Sequence, residues 1–487
     1  MLPLVRQSAM RILASTAMVV AFFSHSTCAF GQSAPGSPDH PWHAPAAEQK
    51  LEMEAKGVPH PELILDPAKT YSLSELVDLA ESHNPQTRLA WERARSQAAA
   101  LGVARSDLYP TLVAVALSQT VRQEILFANH FYPQVVQDFA VAVELNYTIF
   151  DFGARRGRID SAKAETLAAN LAFNDVHRSI IYQVQHAYYQ LLNATGQEDA
   201  ARANLANAQA VQQAAEERLN NGLATLPDVL EARSATAQAE YELQAVLGAE
   251  EIARGNLATS LGISPTTTIH VQALNDLTIP DSTSEAVDTA IDRALAQRPD
   301  LLQQVAEIRS ANARIKEANA AYYPSLQVTA TPTGQALFGL QKPSPWVFTG
   351  DLAGGIVFNL NWTILDGGAR RNNLARAKAD EHAAEAQANA KRDQIANEVW
   401  AAYSSLNTAF RQHQSALALL EASSKSYEAA LESYNYGLRN FLDVTAAQRT
   451  LALARSADVL ARTQVLTALV EVAFRTGDSV HAKPTVP

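Results

Sequence analysis

Apolar and polar residues alternate with a period of two along two well-separated stretches, 138–150 and 351–365. In the first, Phe139, Val141, Val143, Leu145, Tyr147 and Ile149 face away from Ala140, Ala142, Glu144, Asn146 and Thr148. In the second, Leu352, Ile356, Phe358, Leu360, Trp362 and Ile364 face away from Gly355, Asn359, Asn361 and Thr363. Each stretch is predicted to be a strand, and each is preceded by a shorter one, at about 111–119 and 325–331, opened by Tyr109-Pro110 and Tyr323-Pro324. Strands that are apolar on one face and small or polar on the other suit a barrel wall between lipid and water. A soluble half-buried sheet alternates in the same way, but strand length and the aromatics near the strand ends favour the membrane.

Directly after each long strand the period changes to that of a helix. The runs from 154 to about 220 and from 369 to about 436 contain no proline and are rich in Ala, Leu, Gln, Glu and Arg. At 1.5 Å per residue each predicts a helix of ~100 Å, several times the thickness of a bilayer. So many alanines suit closely packed, coiled-coil helices. Both runs end at a glycine, Gly222 and Gly437, where a helix can reverse through left-handed geometry, and shorter helices return over about 227–261 and 442–476. Upstream of each strand pair lies a broken helix, from Ser72 to about Leu108 with its break at Asn84-Pro85, and from Glu285 to Tyr322 with its break at Arg298-Pro299.

These events occur twice. Asn146-Tyr-Thr-Ile-Phe-Asp151-Phe-Gly153-Ala-Arg155-Arg156 returns 215 residues later as Asn361-Trp-Thr-Ile-Leu-Asp366-Gly-Gly368-Ala-Arg370-Arg371, and 11 of the 20 positions 146–165 are identical. The chain of 487 residues therefore divides into a signal peptide (1–31), a flexible Pro/Ala-rich arm (32–70), a first repeat (71–262), a linker (263–284) in which Ile269-His-Val271 forms a short strand, a second repeat (285–477) and a tail (478–487).

The signal reading rests on Arg6 and Arg11, an apolar run from Ile12 to Phe23 and small residues at Ala29 and Gly31. The only cysteine, Cys28, lies within it; lipid attachment there is disfavoured, because His25-Ser-Thr27 lacks the expected aliphatic residue. A mature chain without cysteine excludes a disulfide framework and thiolate metal sites. Removing the signal takes the formal charge from −11 to −13, which argues against nucleic acid as a partner. His40, His43 and His60 in the arm read as solvated residues rather than as a metal site.

Four strands cannot close a barrel, and open sheet edges are not tolerated in lipid, so the chain must assemble with itself. Three copies would supply twelve strands. With the duplicated Asp-x-Gly-x-Arg-Arg, the Tyr-Pro openings and two turns, Gly222-Leu-Ala-Thr-Leu-Pro-Asp228-Val229 and Gly437-Leu-Arg-Asn-Phe-Leu-Asp443-Val444, the chain resembles the TolC-type outer-membrane efflux family over about Tyr71 to Arg475. The resemblance implies a homotrimer whose twelve-stranded barrel in the outer membrane of a Gram-negative bacterium continues as a coiled-coil tunnel through the periplasm. It implies work with a periplasmic adaptor and an inner-membrane pump of RND, ABC or MFS type, conducting small molecules outward. No catalytic constellation, cofactor or metal site is expected.

The resemblance also assigns residues. Gly222, Leu223, Gly437 and Leu438 match the tips that meet the adaptor. Asp443 matches an aspartate that narrows the closed mouth, although Ala446 stands where the family has a second one; an acidic first helical turn explains Asp443 equally. Tyr434 and Arg439 match residues that tie the helices in the closed state, with Asp228 the expected acceptor for Tyr434 and Val211 in place of the glutamine expected for Arg439. Asp151, Gly153, Arg155 and Arg156, with Asp366, Gly368, Arg370 and Arg371, would mark the junction of barrel and tunnel, or the arginines would simply be solvated charge at a membrane edge. Two other readings remain: the duct of a type I protein-secretion system, and a trimeric coiled-coil structural protein of the envelope.

Overall fold

A computed structural model describes residues 39, 45–57, 65–66, 69–127, 129–274, 277, 279–280, 286–340 and 347–478. The expected signal peptide lies outside them. The chain separates into two units, 1–62 and 63–487. In the first, the arm expected to be flexible carries, among the described residues, the helix α1 (Pro45–Lys56). Its composition explains this, because Ala, Glu, Gln, Lys, Leu and Met are strong helix formers and proline suits the first helical position.

The second unit opens with β1 (Thr70–Tyr71), α2 (Leu73–His83) and α3 (Pro85–Ser106). The Ser72 backbone N–H donates to Glu75, and Asn84 caps α3 by accepting from Gln86 N–H at 2.8 Å. Then come β2 (Thr111–Phe127), β3 (His130–Phe150), α4 (Ala154–Asn220) and α5 (Leu226–Ser260). After β4 (His270–Val271), which pairs in parallel with β1, the same order returns. Here it runs α6 (Val287–Gln297), α7 (Pro299–Ala320), β5 (Ser325–Ala330), β6 (Thr333–Leu340), β7 (Val347–Ala353), β8 (Ile356–Asn361), α8 (Ala369–Asn435) and α9 (Phe441–Thr476).

The strands run further than the alternation indicated. β2 continues to Phe127 through Arg122, Gln123 and Glu124, which break the pattern but remain in register with β3. Asn129, at φ 60, turns β2 into β3. In the second half each long strand is divided in two. Pro332, which has no N–H to donate, separates β5 from β6, and Gly354-Gly355 separates β7 from β8. Residues 362–365, expected as strand, lie beyond the last pairing at Asn361.

β3 pairs on one side with β2 and on the other with β5 and β6, which in turn pair with β8 and β7. Four antiparallel ribbons result, and among the described residues both outer edges are unpaired. One face carries exposed Val141, Val143, Phe139, Leu352, Phe358 and Leu360. The other carries polar bridges, with Asp138 accepting from Gln119 and Gln335 at 3.1 and 3.0 Å and Thr329 donating to Asn146 at 3.0 Å.

Four helices continue from this sheet as one layer. Beside the strands the neighbours are α3, α4, α7 and α8, and towards the far end α5, α4, α9 and α8. Small residues permit the closest approach. A Cβ on Gly157 would lie 2.7 Å from the Glu317 backbone nitrogen of α7, and the Ser161 and Ser310 hydroxyls meet at 3.0 Å. The largest apolar core packs Ile180, Val184, Tyr188 and Leu191 of α4 against Leu76, Leu257 and Leu261, where α2 and the linker cross the layer. No helix among the described residues is long and apolar enough to cross a membrane, a test that does not bear on a β-barrel.

Candidate functional site

At the two strand-to-helix junctions the geometry is duplicated. Asp151 Oδ1 accepts from Gly153 N–H at 3.2 Å, and its Oδ2 accepts from Arg155 N–H and Nε, both at 2.9 Å. Asp366 does the same with Gly368 at 3.1 Å and with Arg370 at 2.9 and 2.8 Å. Gly153 and Gly368 sit at φ 95 and 90, left-handed positions that glycine takes without strain. Arg155 also donates to the carbonyls of Asp107 and Ile149, and Arg370 to that of Ile364. Burial raises the Asp151 carboxyl, but the Arg155 bonds outweigh it, and Asp366 is lowered chiefly by the Arg370 backbone N–H. Only Arg156 and Arg371 are the exposed charges expected of all four arginines. Arg155 and Arg370 instead lock strand to helix, a role requiring the carboxylate four residues earlier.

At the far end each hairpin turns in the same way. Leu223 N–H donates to Arg218 O at 2.7 Å and Leu438 N–H to Ser433 O at 2.9 Å, closing six-residue turns with Gly222 at φ 73 and Gly437 at φ 72. No atom lies within 4 Å of a Cβ placed on either glycine, so backbone geometry alone requires them. Leu223 and Leu438 are 67% and 79% exposed, apolar side chains presented at the tips.

The candidate gate residues occupy different settings. Asp443 lies in the first turn of α9, where its N–H is capped by Asn440 at 2.9 Å and its carboxylate stands 4.0 Å from Arg439. Tyr434, 5% exposed, packs edge-to-face on Phe441 at 5.8 Å. The expected Tyr434–Asp228 hydrogen bond is absent within the chain. The Tyr434 hydroxyl has no partner among the described residues, and Asp228 Oδ2 accepts from Thr225 N–H and Oγ1 at 2.8 and 2.7 Å, capping α5. Burial pushes the Tyr434 phenol up from 10.0. The Arg218 guanidinium lies over its ring, 4.5 Å from the centroid.

A buried charge cluster between the two regions was not singled out by sequence reasoning. Arg298 grips Asp300 through two bonds of 3.0 and 2.7 Å and reaches Glu398 at 2.8 Å. Lys391 adds a contact to Asp300 at 2.9 Å and Arg475 one to Glu398 at 3.0 Å, while Arg178 donates to the Phe474 carbonyl at 2.6 Å. Charged residues flanking a helix-breaking proline, Arg298-Pro299-Asp300, were the available signal; the first half has Asn84-Pro85-Gln86 there.

The model of the outer membrane efflux protein family matches residues 76–263 and 290–478. The chain belongs to that family. Among its relatives, Protein CyaE of Bordetella pertussis is 29% identical over 412 residues, covering 84% of each chain. Outer membrane protein OprJ of Pseudomonas aeruginosa is 27% identical over 413 residues, covering 82% of each. The solved outer-membrane channel OprN shares the fold with a TM-score of 0.73 at 22% identity, over 91% of this chain and 98% of that one. As an outer membrane efflux protein the chain is an outer-membrane channel component of an efflux system. The duplicated junction motif joins the sheet to the helical layer, and the two hairpin turns lie at the far end of that layer.

Proposed function

We propose that three copies of the chain close a twelve-stranded barrel and a tunnel of helices. That duct passes small molecules outward from a periplasmic adaptor and an inner-membrane pump. The observation that carries this reading is the four-ribbon sheet, whose two edges are unpaired among the described residues and which runs directly into two 67-residue helices. Unpaired backbone groups in hydrocarbon cost several kcal/mol each, so the edges have to be satisfied by further copies. The helices leaving the sheet then lie side by side and continue its wall. Phe150, Phe152, Tyr109, Tyr323 and Trp362, exposed where strands give way to helices, suit the membrane–water boundary. The Gln119–Asp138–Gln335 bridges on the opposite face suit a water-filled interior.

Leu223 and Leu438 supply the apolar contacts for the adaptor's tips. Asp443, brought together threefold by symmetry, narrows the mouth. Single-channel recording of the purified protein beside Asp443→Asn tests the duct and its gate. Small, flickering openings that enlarge in the variant are expected. Large openings alike in both would remove Asp443 as the gate, and no conductance from assembled trimers would favour a structural envelope protein.

A further inference from the structure

Between the junctions and the tips, one face of the helical layer carries a groove of about 520 Å³, with α9 as its floor and α4 and α8 as its walls. Its lining is polar and uncharged over most of its length, with Gln190 and Asn193 from α4, Thr408 and Gln412 from α8, and Thr463 and Gln464 from α9. Asn193 accepts from the Thr463 hydroxyl at 3.2 Å and so ties wall to floor. The amides of Gln190, Gln412 and Gln464 are exposed in the groove and make no hydrogen bond among the described residues. The ionisable lining residues, His186 and Glu471, sit at the end nearer the sheet, where Glu471 stands 3.5 Å from Arg475.

The groove opens on the face away from the elements that cross the layer. One side of α4 packs Val184, Tyr188 and Leu191 against α2 and the linker, and one side of α8 packs Ile395, Val399 and Tyr403 against α6. At 3.6 residues per turn, Gln190 and Asn193 fall on the opposite side of α4, and Thr408 and Gln412 on the opposite side of α8. Crossing elements laid on the inner side of a tube would fill its bore. The bare, concave face is therefore the inner one.

The two halves of the chain share the walls of this groove but not its floor. Under the 215-residue shift Gln190 and Asn193 become Ser405 and Thr408, which line the same groove. Thr463, Gln464 and Thr467 of the floor become Gly248, Ala249 and Ile252 of α5, on the far side of α4. The same helical framework accepts either set, so packing alone does not require the polar one.

We propose that the groove over α9 is a binding site, one in each chain and facing the bore, for uncharged cargo that carries amide and hydroxyl groups; this rests on the reading of the chain as a trimeric duct. A glutamine amide offers two donors and an acceptor, so the three unpaired amides match solute groups that also do both. An ion entering the groove would give up hydration with no opposite charge along most of its length to replace it. Each hydrogen bond exchanged with water gains little, so the site binds weakly. Conduction requires this, because a solute held tightly would block the duct.

Two measurements on the full mature chain, assembled in detergent or bilayer, test this. The first is a saturation-transfer NMR titration with N-acetylchitotriose, which is neutral and carries both groups, and with its deacetylated, cationic form. The neutral probe is expected to bind in the millimolar range, and the cationic one roughly tenfold more weakly. Gln190→Leu/Gln412→Leu/Gln464→Leu should weaken the neutral probe roughly tenfold. Gln464→Glu should turn the preference towards the cationic probe, an effect that loss of packing would not produce. The second measurement is current in a planar bilayer, which the neutral probe should lower in wild type and lower less in the triple variant.

No binding by wild type, equal binding by wild type and the triple variant, or equal binding of the two probes overturns the site and leaves the duct standing. Binding with no drop in current through a conducting trimer overturns its place in the bore. Should the triple variant fail to assemble, Gln464→Glu decides, and an unchanged preference between the probes refutes the groove. A wild type that never conducts overturns the duct, while the titration still decides whether the groove binds.

Discussion

Replacing Arg298 with methionine removes the centre of the buried charge cluster without opening a large cavity. The side chain is 3% exposed and makes four hydrogen bonds, two to Asp300, one to Glu398 and one to the carbonyl of Arg475. Removing one partner of a buried ion pair costs ~3–5 kcal/mol, because the other charge is left uncompensated. Here the loss is incomplete. Asp300 keeps Lys391 at 2.9 Å and Glu398 keeps Arg475 at 3.0 Å, and both cations are partly solvated. An expected destabilisation of about 2–3 kcal/mol follows. Urea unfolding in detergent, followed by circular dichroism at matched protein concentration, measures it, since subunit association contributes to the transition. Adding Asp300→Leu removes the buried carboxylate that has lost its two bonds to Arg298, so the double variant is expected to be more stable than Arg298→Met alone. A single variant within ~0.5 kcal/mol of wild type, or two changes that simply add, would show that the cluster does not hold the helices as described.

The same cluster sets a pH response. Burial raises the carboxyls of Asp300 and Glu398, but Arg298 outweighs it and holds both below their ordinary values of 3.8 and 4.5. Groups whose folded values are depressed stabilise the protein above the unfolded values and lose that contribution as pH falls through the folded ones. Stability should therefore be level down to about pH 5 and fall below it, less steeply in Arg298→Met, in a melting series against pH. Gly157→Ala places a Cβ against the backbone of α7 at 2.7 Å and should cost about 1–3 kcal/mol in unfolding; an unchanged midpoint would mean that α4 and α7 can separate freely. Tyr434→Phe deletes a hydroxyl without a partner among the described residues, so its open probability should stay within about twofold of wild type; a larger effect would point to a partner of that hydroxyl in a neighbouring copy.

Local signals along the chain determined the elements. The proline-free runs became α4 and α8, the Asn84-Pro85 and Arg298-Pro299 breaks fell where proline imposes them, and Gly222 and Gly437 end their helices at positive φ. These effects act over a few residues, and so composition and period reveal them. Strand extent was less legible, because pairing with β3 carried β2 through polar residues that alternation alone would have ended. Tertiary structure decided which charges meet. Arg298 and Glu398 are 100 residues apart, and Arg218 and Tyr434 are 216 apart. Asp228 and Tyr434, paired by family resemblance, went to a helix cap and an apolar cluster instead. A charge is worth little in water and much when buried, and burial exists only after four helices from distant parts of the chain have closed into one layer.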